Sequence, residues 1–253
     1  MTGRCLASAM TDLDGRTALV TGAAGGIGRA IATRLAQDGA RVVVTDVQDA
    51  SGTVEAIEDA GGSGEFREAD VTEEAEMGAA VSGLDLDVLV NNAAYYAPLV
   101  RDKKRFDEIP RDEWETVLAV NVTGPFLACK AAVPRLTDDA SIVNLSSSTV
   151  HLGVPGFLHY VTSKAAVVGM TRAMATELGD LGVRVNAVTP GLTHSEATLQ
   201  NDDGYLAGAV EGQALPEPIE PEHVADAVAY LAGPDSARVT GQVLNVDAGS
   251  VYY

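Results

Sequence analysis

A tyrosine and a lysine four positions apart, Tyr160 and Lys164, are the residues whose types and spacing most directly indicate chemistry. If the segment is helical, both side chains lie on one face of the helix. An ammonium group beside a phenol favours the phenolate, so we expect Lys164 to lower the pKa of Tyr160 from its ordinary value of about 10. Such a phenol can act as a general base or acid. The same spacing occurs on ordinary helix faces, so the pair alone leaves both interpretations open.

The elements around this pair would supply a hydroxyl group as well. Ser146, Ser147 and Ser148 follow the apolar run 141–145, which is typical of a buried strand. The run that begins at Lys164 is rich in Ala, Met and Leu and lacks proline, which predicts a helix. A strand therefore delivers the serines, and a helix carries the tyrosine and the lysine.

A glycine cluster near the start of the sequence could hold a dinucleotide. Residues 17–21 predict a buried strand, Gly22 to Gly28 follow, and a helical run then ends at Gly39. Glycines allow the backbone to turn tightly and to approach a pyrophosphate, which binds to the amides of the helix N-terminus. A glycine cluster by itself is weak evidence, because many turns need glycine.

Asp46 ends the next predicted strand, residues 41–45. It lies at about the spacing at which a carboxylate accepts hydrogen bonds from the hydroxyls of an adenosine ribose. The same carboxylate would repel a 2′-phosphate, and no arginine follows it, so we expect NAD(H) rather than NADP(H). A role as a turn residue or a helix N-cap is the alternative.

Strands and helices alternate along the sequence. Helices are predicted over 49–60, 73–81 and 221–231, strands over 65–69, 87–90, 183–188 and 242–246, and one long or two abutting helices over 111–136, with a break near Gly124-Pro125. This alternation predicts the α/β class, as a single-domain doubly wound parallel sheet (Rossmann fold) with helices on both faces. We expect an N-terminal extension over 1–12, one domain over 13–253, and a polar, irregular substrate lid over about 192–218.

The composition restricts the partners and the compartment. The chain has 253 residues, a formal net charge of -19 and a sequence pI of about 4.4, so its surface should repel nucleic acid and anionic membranes. No apolar run approaches the roughly 18 residues of a membrane span, and no export signal is recognisable. Cys5 and Cys129 form no disulfide framework, and Cys129 has the surroundings of a buried small residue. We expect a cytoplasmic protein with a small-molecule substrate and with no bound metal, nucleic acid or membrane.

Several short motifs follow one another in a fixed order. They are Thr21-Gly22-x-x-x-Gly26-x-Gly28, Asp70-Val71, Asn91-Asn92-Ala93, Asn121, Ser147, Tyr160 with Lys164, and Asn186 followed by Pro190-Gly191, with Ser195 where a threonine is usual. From about Leu13 onward the sequence thereby resembles the short-chain dehydrogenase/reductase family, in its classical subgroup. It departs from the family in Ala94, which replaces a glycine, and in Asp247-Ala248-Gly249, which replaces a common Gly-Gly.

The resemblance implies an enzyme that moves a hydride between NAD and a secondary alcohol or ketone. It implies that Asn121, Ser147, Tyr160 and Lys164 are catalytic, with Asn121 holding a water that leads from Lys164 to solvent. The implied cofactor site comprises Gly22, Ala24, Gly26, Ile27, Gly28, Asp46, Asp70, Val71, Asn92, Ala93, Tyr160, Lys164, Pro190, Gly191, Thr193 and Ser195. The family forms dimers and tetramers, and the small apolar helices around residues 122–132 and 165–173 are compatible with a homo-oligomer or with simple core packing.

The substrate pocket is expected to be mostly apolar, which suits a hydrophobic or cyclic substrate. Its predicted lining is Tyr95, Tyr96, Val150, Leu152, Val154, Phe157 and Leu192, some of which could equally be core. No role is assigned to His151 or His159. The basic cluster 101–105 is compatible with a solvated loop or with a contact to an anionic substrate. An NAD(H)-sensing binding protein on the same fold is the alternative function, since fold does not fix function.

Overall fold

Seven strands form one parallel sheet in the computed structural model, which describes residues 11–201 and 203–252. The strands are β1 (Thr17–Thr21), β2 (Arg41–Asp46), β3 (Ser63–Glu68), β4 (Leu86–Asn91), β5 (Leu136–Leu145), β6 (Arg184–Pro190) and β7 (Val243–Val246). Their order across the sheet is β3-β2-β1-β4-β5-β6-β7, and each neighbouring pair is parallel.

Helices connect the strands. They are α1 (Gly26–Gln37), α2 (Ser51–Asp59), α3 (Glu74–Ala80), α4 (Ala97–Arg101), α5 (Arg111–Leu118), α6 (Gly124–Ala132), α7 (Thr149–Leu152), α8 (Leu158–Glu177), α9 (Asp203–Glu211) and α10 (Pro221–Ala232). The predicted helix over 49–60 is α2, and the predicted break in the run 111–136 is a π-helical turn, Ala119–Thr123, between α5 and α6.

Both faces of the sheet are buried. Consecutive strand residues point to opposite faces, and Leu19 and Val20 of β1 accordingly belong to two different apolar clusters. The first cluster includes Ile31 of α1, and the second includes Cys129 of α6, which is 2% exposed. The predicted doubly wound sheet with helices on both faces is confirmed.

The order of the strands locates the site. The chain builds β1, β2 and β3 in one direction and then returns to the other side of β1 to add β4. Ligands of such sheets bind at this switch point, outside the carboxyl ends of the strands. The glycine turn after β1 and the residues that end β2 and β4 meet there.

β5 begins five residues before the predicted strand, at Leu136 instead of Ser141. Leu86 of β4 pairs with Leu136, and Val88 pairs with Ser141, so the intervening residues of β5 form an irregularity. Asp139 there has a φ of 63°. The polar sequence Thr137-Asp138-Asp139 concealed this part of the strand from a search for apolar runs.

The expectation that no run is long and apolar enough for a membrane span was wrong on composition alone. Residues Arg111–Arg135 form a helical run of 25 residues that is long and apolar enough to cross a membrane, judged by length and composition only. Within the protein, 44% of its apolar window is buried. This is weak evidence for a membrane, because α6 packs against α3 and β4 as a core helix does. Of the predicted extension 1–12, residues 1–10, with Cys5, lie outside the described part of the chain, and Thr11 is buried against Gly233.

Candidate active site

A cleft of about 920 Å³ opens at the carboxyl ends of the strands. It runs from the glycine turn after β1 to the segment between β6 and α10. Every predicted cofactor residue lines it, and so do Ser147, Tyr160 and Lys164. Asn121 is the predicted catalytic residue that does not line the cleft, since it is fully buried behind it.

The glycine turn is shaped by contacts that exclude side chains. Gly22 has a φ of +65°, and a Cβ atom on it would lie 2.5 Å from the Cα of Ala93. A Cβ atom on Gly28 would lie 2.2 Å from the carbonyl oxygen of Gly22. Gly25 is the N-cap residue of α1; its backbone is extended, and it has no side chain that could cap the helix. The first N–H groups of α1 therefore face the cleft without intrahelical acceptors, which is the arrangement that binds a pyrophosphate.

Asp46 lies at the end of β2 and is bonded to the glycine turn. Its Oδ2 accepts a hydrogen bond from the N–H of Ala24 at 2.9 Å, and its Oδ1 accepts one from the N–H of Gln48 at 3.0 Å. The carboxylate is thus held at the edge of the cleft, beside the turn, where it can meet a ribose. The glycine turn and the Asp46 carboxylate beside it therefore fit a nicotinamide dinucleotide.

Asn92 and Asp70 complete this end of the cleft. Nδ2 of Asn92 donates to the carbonyl oxygens of Thr21 at 3.0 Å and Gly22 at 2.7 Å, which ties β4 to the turn. Oδ1 of Asp70 accepts from both the N–H and the hydroxyl of Thr72 at 2.8 Å. Val71 packs against Gly124; a Cβ atom on Gly124 would lie 2.7 Å from Cγ2 of Val71.

The chemically active side chains come from β5 and α8. Tyr160, Lys164 and Ser147 are 8%, 3% and 8% exposed. Nζ of Lys164 donates to the carbonyl oxygen of Leu145 at 2.8 Å and lies 5.7 Å from the centre of the Tyr160 ring. Ser146 also contributes, because its hydroxyl donates to the carbonyl oxygen of Lys164 at 2.8 Å.

The pKa values of this pair differ from the sequence prediction. Burial raises the pKa of Tyr160 to about 12, and the hydrogen bond with Ser147 opposes this shift. Burial lowers the pKa of Lys164 to about 8. The predicted net lowering of the Tyr160 pKa is not seen in the chain alone, because desolvation of the phenolate is the largest contribution. A positive charge brought into the cleft by a bound molecule would favour the phenolate.

Asn121 lies in the π-helical turn and supports the site from behind. Its Oδ1 accepts from the N–H of Tyr95 at 2.7 Å, and its Nδ2 donates to Oγ of Ser163 at 3.1 Å. Ser163 in turn donates to the carbonyl oxygen of Tyr160 at 2.7 Å. The described hydrogen bonds of Asn121 thus connect Tyr95 and, through Ser163, the carbonyl oxygen of Tyr160.

His159 and Glu113, which the sequence analysis did not use, are buried or half-buried beside Tyr160. Nε2 of His159 lies 3.1 Å from Oε1 of Glu113, and Nδ1 accepts from the N–H of Tyr160 at 3.0 Å. Oε2 of Glu113 accepts from Nζ of Lys104 at 2.8 Å. A histidine directly before the tyrosine was visible in the sequence, but its partner Glu113 is 46 residues away.

The substrate end of the cleft is lined largely as predicted. Tyr95, Tyr96, Leu152, Val154, Phe157 and Leu192 line it, and Val150 does not. The ring centre of Tyr96 lies 5.0 Å from that of Tyr160 and 6.2 Å from that of Phe157. Burial raises the pKa of Tyr96, so this phenol stays neutral.

The basic segment 101–105 contacts the predicted lid. Nε of Arg101 donates to Oε1 of Gln200 at 2.5 Å, and Nζ of Lys103 lies 3.9 Å from the ring centre of Tyr205 on α9. Gln200 and Tyr205 both line the cleft. The segment is thus in contact with the substrate end rather than fully solvated.

The described lid residues also approach the glycine turn. Ser195 and Thr198 hydrogen-bond to each other, and Thr193 bridges to Ile219, which closes the base of the lid. A Cβ atom on Gly25 would lie 2.9 Å from Oε2 of Glu196. This carboxylate was not among the predicted site residues.

The two departures from the family pattern have different effects on the backbone. Ala94 is not among the described residues with positive φ, so the loss of glycine there causes no strain. Ala248 has a φ of 52°, a conformation that glycine adopts more readily. Of these two replacements of glycine, the one at Ala248 therefore places an alanine in a conformation that favours glycine, and the one at Ala94 does not.

The fold and the cleft together define a dinucleotide-binding α/β protein with a buried tyrosine, lysine and serine at the far end of the site. A family model described as enoyl-(acyl carrier protein) reductase matches residues 22–251. An uncharacterized NAD-dependent oxidoreductase of Mycobacterium tuberculosis is 34% identical over 273 residues, covering 95% of this chain and 98% of that protein.

Solved structures give the same result. A dehydrogenase/reductase from Sinorhizobium meliloti 1021 matches with a TM-score of 0.89 and 35% identity, over 95% of this chain and 97% of that one. A blue fluorescent protein from a metagenomic library, in complex with NADPH, matches with a TM-score of 0.86 and 35% identity, over 95% of this chain and 100% of that one. The chain belongs to the short-chain dehydrogenase/reductase family of oxidoreductases.

Proposed function

We propose that this protein transfers a hydride between NAD(H) and a secondary alcohol or ketone, with Tyr160 as the proton-transfer group. The observation that carries the proposal is that the buried Tyr160 phenol, Ser147 and Lys164 line the same cleft as the glycine turn. A protein that only sensed the dinucleotide would have no need of this proton-transfer group.

The residues of the chain divide the work. A nicotinamide dinucleotide held by the glycine turn and Asp46 would supply the hydride acceptor for oxidation or the hydride donor for reduction. In oxidation Tyr160, as phenolate, takes the hydroxyl proton of the substrate. Ser147 donates a hydrogen bond to the substrate oxygen and fixes its position. The ammonium of Lys164 favours the phenolate, and the buried surroundings of both groups exclude water.

The preference for NAD rests on Asp46. Its carboxylate is fixed beside the glycine turn by the N–H of Ala24. A ribose with free hydroxyls can donate to it, whereas a 2′-phosphate would be repelled. One structural relative was solved in complex with NADPH, so the rates with NAD and NADP must be compared by measurement.

The apolar lining supports a hydrophobic or cyclic substrate. Leu152, Val154 and Phe157 form one wall, with Tyr96 against them. We propose the segment 192–218 as the lid over this pocket, within one domain that begins at about residue 13. Its described part contains α9 and approaches both the glycine turn and the basic segment.

A homo-oligomer, a dimer or a tetramer, is proposed from the outer faces of α6 and α8. Phe126 is 47% exposed and Leu158 is 44% exposed on these helices, so both present apolar surface that a second copy would cover. Light scattering coupled to size exclusion tests this, and a single monomeric mass at micromolar concentration would contradict it.

The first experiment measures NADH and NADPH formation over a panel of aryl, alicyclic and steroid secondary alcohols. We expect turnover with NAD and little with NADP. Tyr160→Phe should abolish turnover and leave the Kd for NADH within a few-fold, because only the proton route is lost. Turnover at the wild-type rate in this variant would contradict the mechanism. No turnover on any alcohol, together with tight NADH binding, would favour the sensing alternative.

A further inference from the structure

The tautomer of His159 follows from the hydrogen bonds with its two neighbours. The side chain is 1% exposed, and its Nδ1 lies 3.0 Å from the backbone nitrogen of Tyr160. A backbone N–H can only donate, so Nδ1 accepts and carries no hydrogen. Nε2 therefore carries the hydrogen of the neutral ring and donates it to Glu113 at 3.1 Å.

The N–H of Tyr160 needs such an acceptor. Helix α8 begins at Leu158, and the first N–H groups of a helix have no intrahelical partner. Phe157, at the N-cap, offers no side-chain acceptor, and the N–H of Val161 takes its carbonyl oxygen at 2.8 Å. The imidazole of His159 thus does for Tyr160 what Ser, Thr, Asp or Asn does at other helix ends.

Tyr160 is held on both sides of its backbone. Its N–H is bonded to His159, and its carbonyl oxygen accepts from Ser163, which is bonded to Asn121. Rotation or fraying of the first turn of α8 would carry the phenol away from Ser147. Both bonds are made by buried side chains, so water cannot easily replace them.

Glu113 connects this arrangement to the basic segment. Its second oxygen accepts from Nζ of Lys104, which also pairs with Asp102 at 2.6 Å. These hydrogen bonds raise the pKa of Lys104, so the cation persists. The contact with Lys104 orients the Glu113 carboxylate as the acceptor that His159 requires.

We propose that His159, held in its Nε2–H form by Glu113, is a positioning residue that keeps the Tyr160 phenol against Ser147. The inference rests on the proposed function, in which Tyr160 moves the proton. It assigns a role to a histidine that neither the sequence motifs nor the mechanism above requires.

Two substitutions separate the two bonds of His159. In His159→Asn the side-chain oxygen takes the place of Nδ1 and the bond to Glu113 is lost. In His159→Gln the amide takes the place of Nε2 and the acceptor for Tyr160 is lost. We expect His159→Gln to lower kcat about tenfold to a hundredfold, with KM and the Kd for NADH within about twofold, because a reacting group is displaced. His159→Asn should recover most of this loss.

His223→Leu is the control, because leucine has no acceptor, whereas glutamine at this position of the capping box could still accept. Nδ1 of His223 accepts from the N–H of Glu220 at 3.0 Å at the start of α10, away from the cleft. It therefore loses the same kind of bond, and its kcat should equal that of the wild type. Circular dichroism and thermal melting of each variant show whether the fold is kept.

Three outcomes would overturn the inference. Equal losses of kcat in His159→Asn and His159→Gln would mean that only the ring volume matters. Wild-type kcat in His159→Gln, while Tyr160→Phe is inactive, would show that Tyr160 needs no such support. If His159→Gln does not fold, the ¹⁵N chemical shifts of the wild-type imidazole decide, and a hydrogen on Nδ1 would overturn the proposal. An inactive wild type would instead refute the proposed function.

Discussion

The two ends of the cleft are built differently. At the cofactor end, positions are set by backbone approach, as at Gly28, where a Cβ atom would lie 2.2 Å from a carbonyl oxygen. At the substrate end, the wall consists of side chains from short helices and loops, and Leu152 and Tyr205 are 53% and 37% exposed. The first end tolerates few residue types, whereas the second can change its shape without disturbing the sheet.

This difference explains why one fold serves many substrates with one kind of cofactor. A backbone cradle depends on glycine at particular positions and leaves no room for variation. Exposed wall residues such as Leu152 and Tyr205 can be substituted with little effect on the sheet, whereas Phe157 belongs to a buried cluster. The following predictions test this difference between the two ends of the cleft.

The largest effect is expected for Gly28→Ala. The added methyl group meets the carbonyl oxygen of Gly22, so we expect the free energy of unfolding to fall by about 3 kcal/mol and the Kd for NADH to rise at least about tenfold. Chemical denaturation and fluorescence titration measure the two. The control is Gly78→Ala in α3, where a Cβ atom meets nothing within 4 Å; it should be as stable as the wild type or up to about 1 kcal/mol more stable. Equal behaviour of the two variants would remove the contrast.

Ser147→Ala should lower kcat by about 10² to 10³, the usual loss when one preorganised donor to the reacting oxygen is removed. Binding of NADH should not change, because the hydroxyl acts on the substrate. Steady-state kinetics on the best substrate of the panel measure this. A negligible effect would transfer the role to Ser146 or Ser148.

Asp46→Ala should reduce the preference for NAD over NADP by at least about tenfold in kcat/KM, because the repulsion of the 2′-phosphate is lost. Asp46→Asn is the matched variant, since it keeps an acceptor for the N–H of Ala24 and removes only the charge. Both variants should shift the ratio in the same direction. An unchanged ratio in both would mean that Asp46 does not contact the ribose.

The smallest effect is expected for Tyr205→Ala at the lid. The ring loses its contact with Lys103, which is worth about 0.5 to 1 kcal/mol at an exposed site, so KM should change only about threefold. The direction will depend on the substrate, while the Kd for NADH stays constant. A large change in cofactor binding would show that the two ends of the cleft are coupled through the lid.

The difference between the cofactor end and the substrate end also explains which features the sequence could predict. Gly22 was identified because a tight backbone turn requires glycine, Asp46 from its spacing after the glycine turn, and Asn92 from the family resemblance, and all three line the cleft. The parallel sheet followed from the alternation of apolar strands and helices. The early start of β5 did not, because its first residues are polar and irregular.

Two features of the site depended on distances that a sequence does not contain. The direction of the Tyr160 pKa shift follows from the depth of burial, which outweighs the hydrogen bond with Ser147. The pairing of His159 with Glu113 joins α8 to α5, and no motif announces it. Val150 was assigned to the pocket by adjacency alone and lies outside it.

The burial of Cys129 has a practical consequence. Its Sγ accepts from Nδ2 of Asn91 at 3.3 Å, and burial raises the pKa of the thiol to about 12. Only the thiolate reacts with alkylating reagents, so Cys129 should be labelled only when α6 opens away from the sheet. In a Cys5→Ser background, the labelling rate would therefore report the opening of the core. Slower labelling with added NADH or NADPH would rank the two cofactors before any substrate is known.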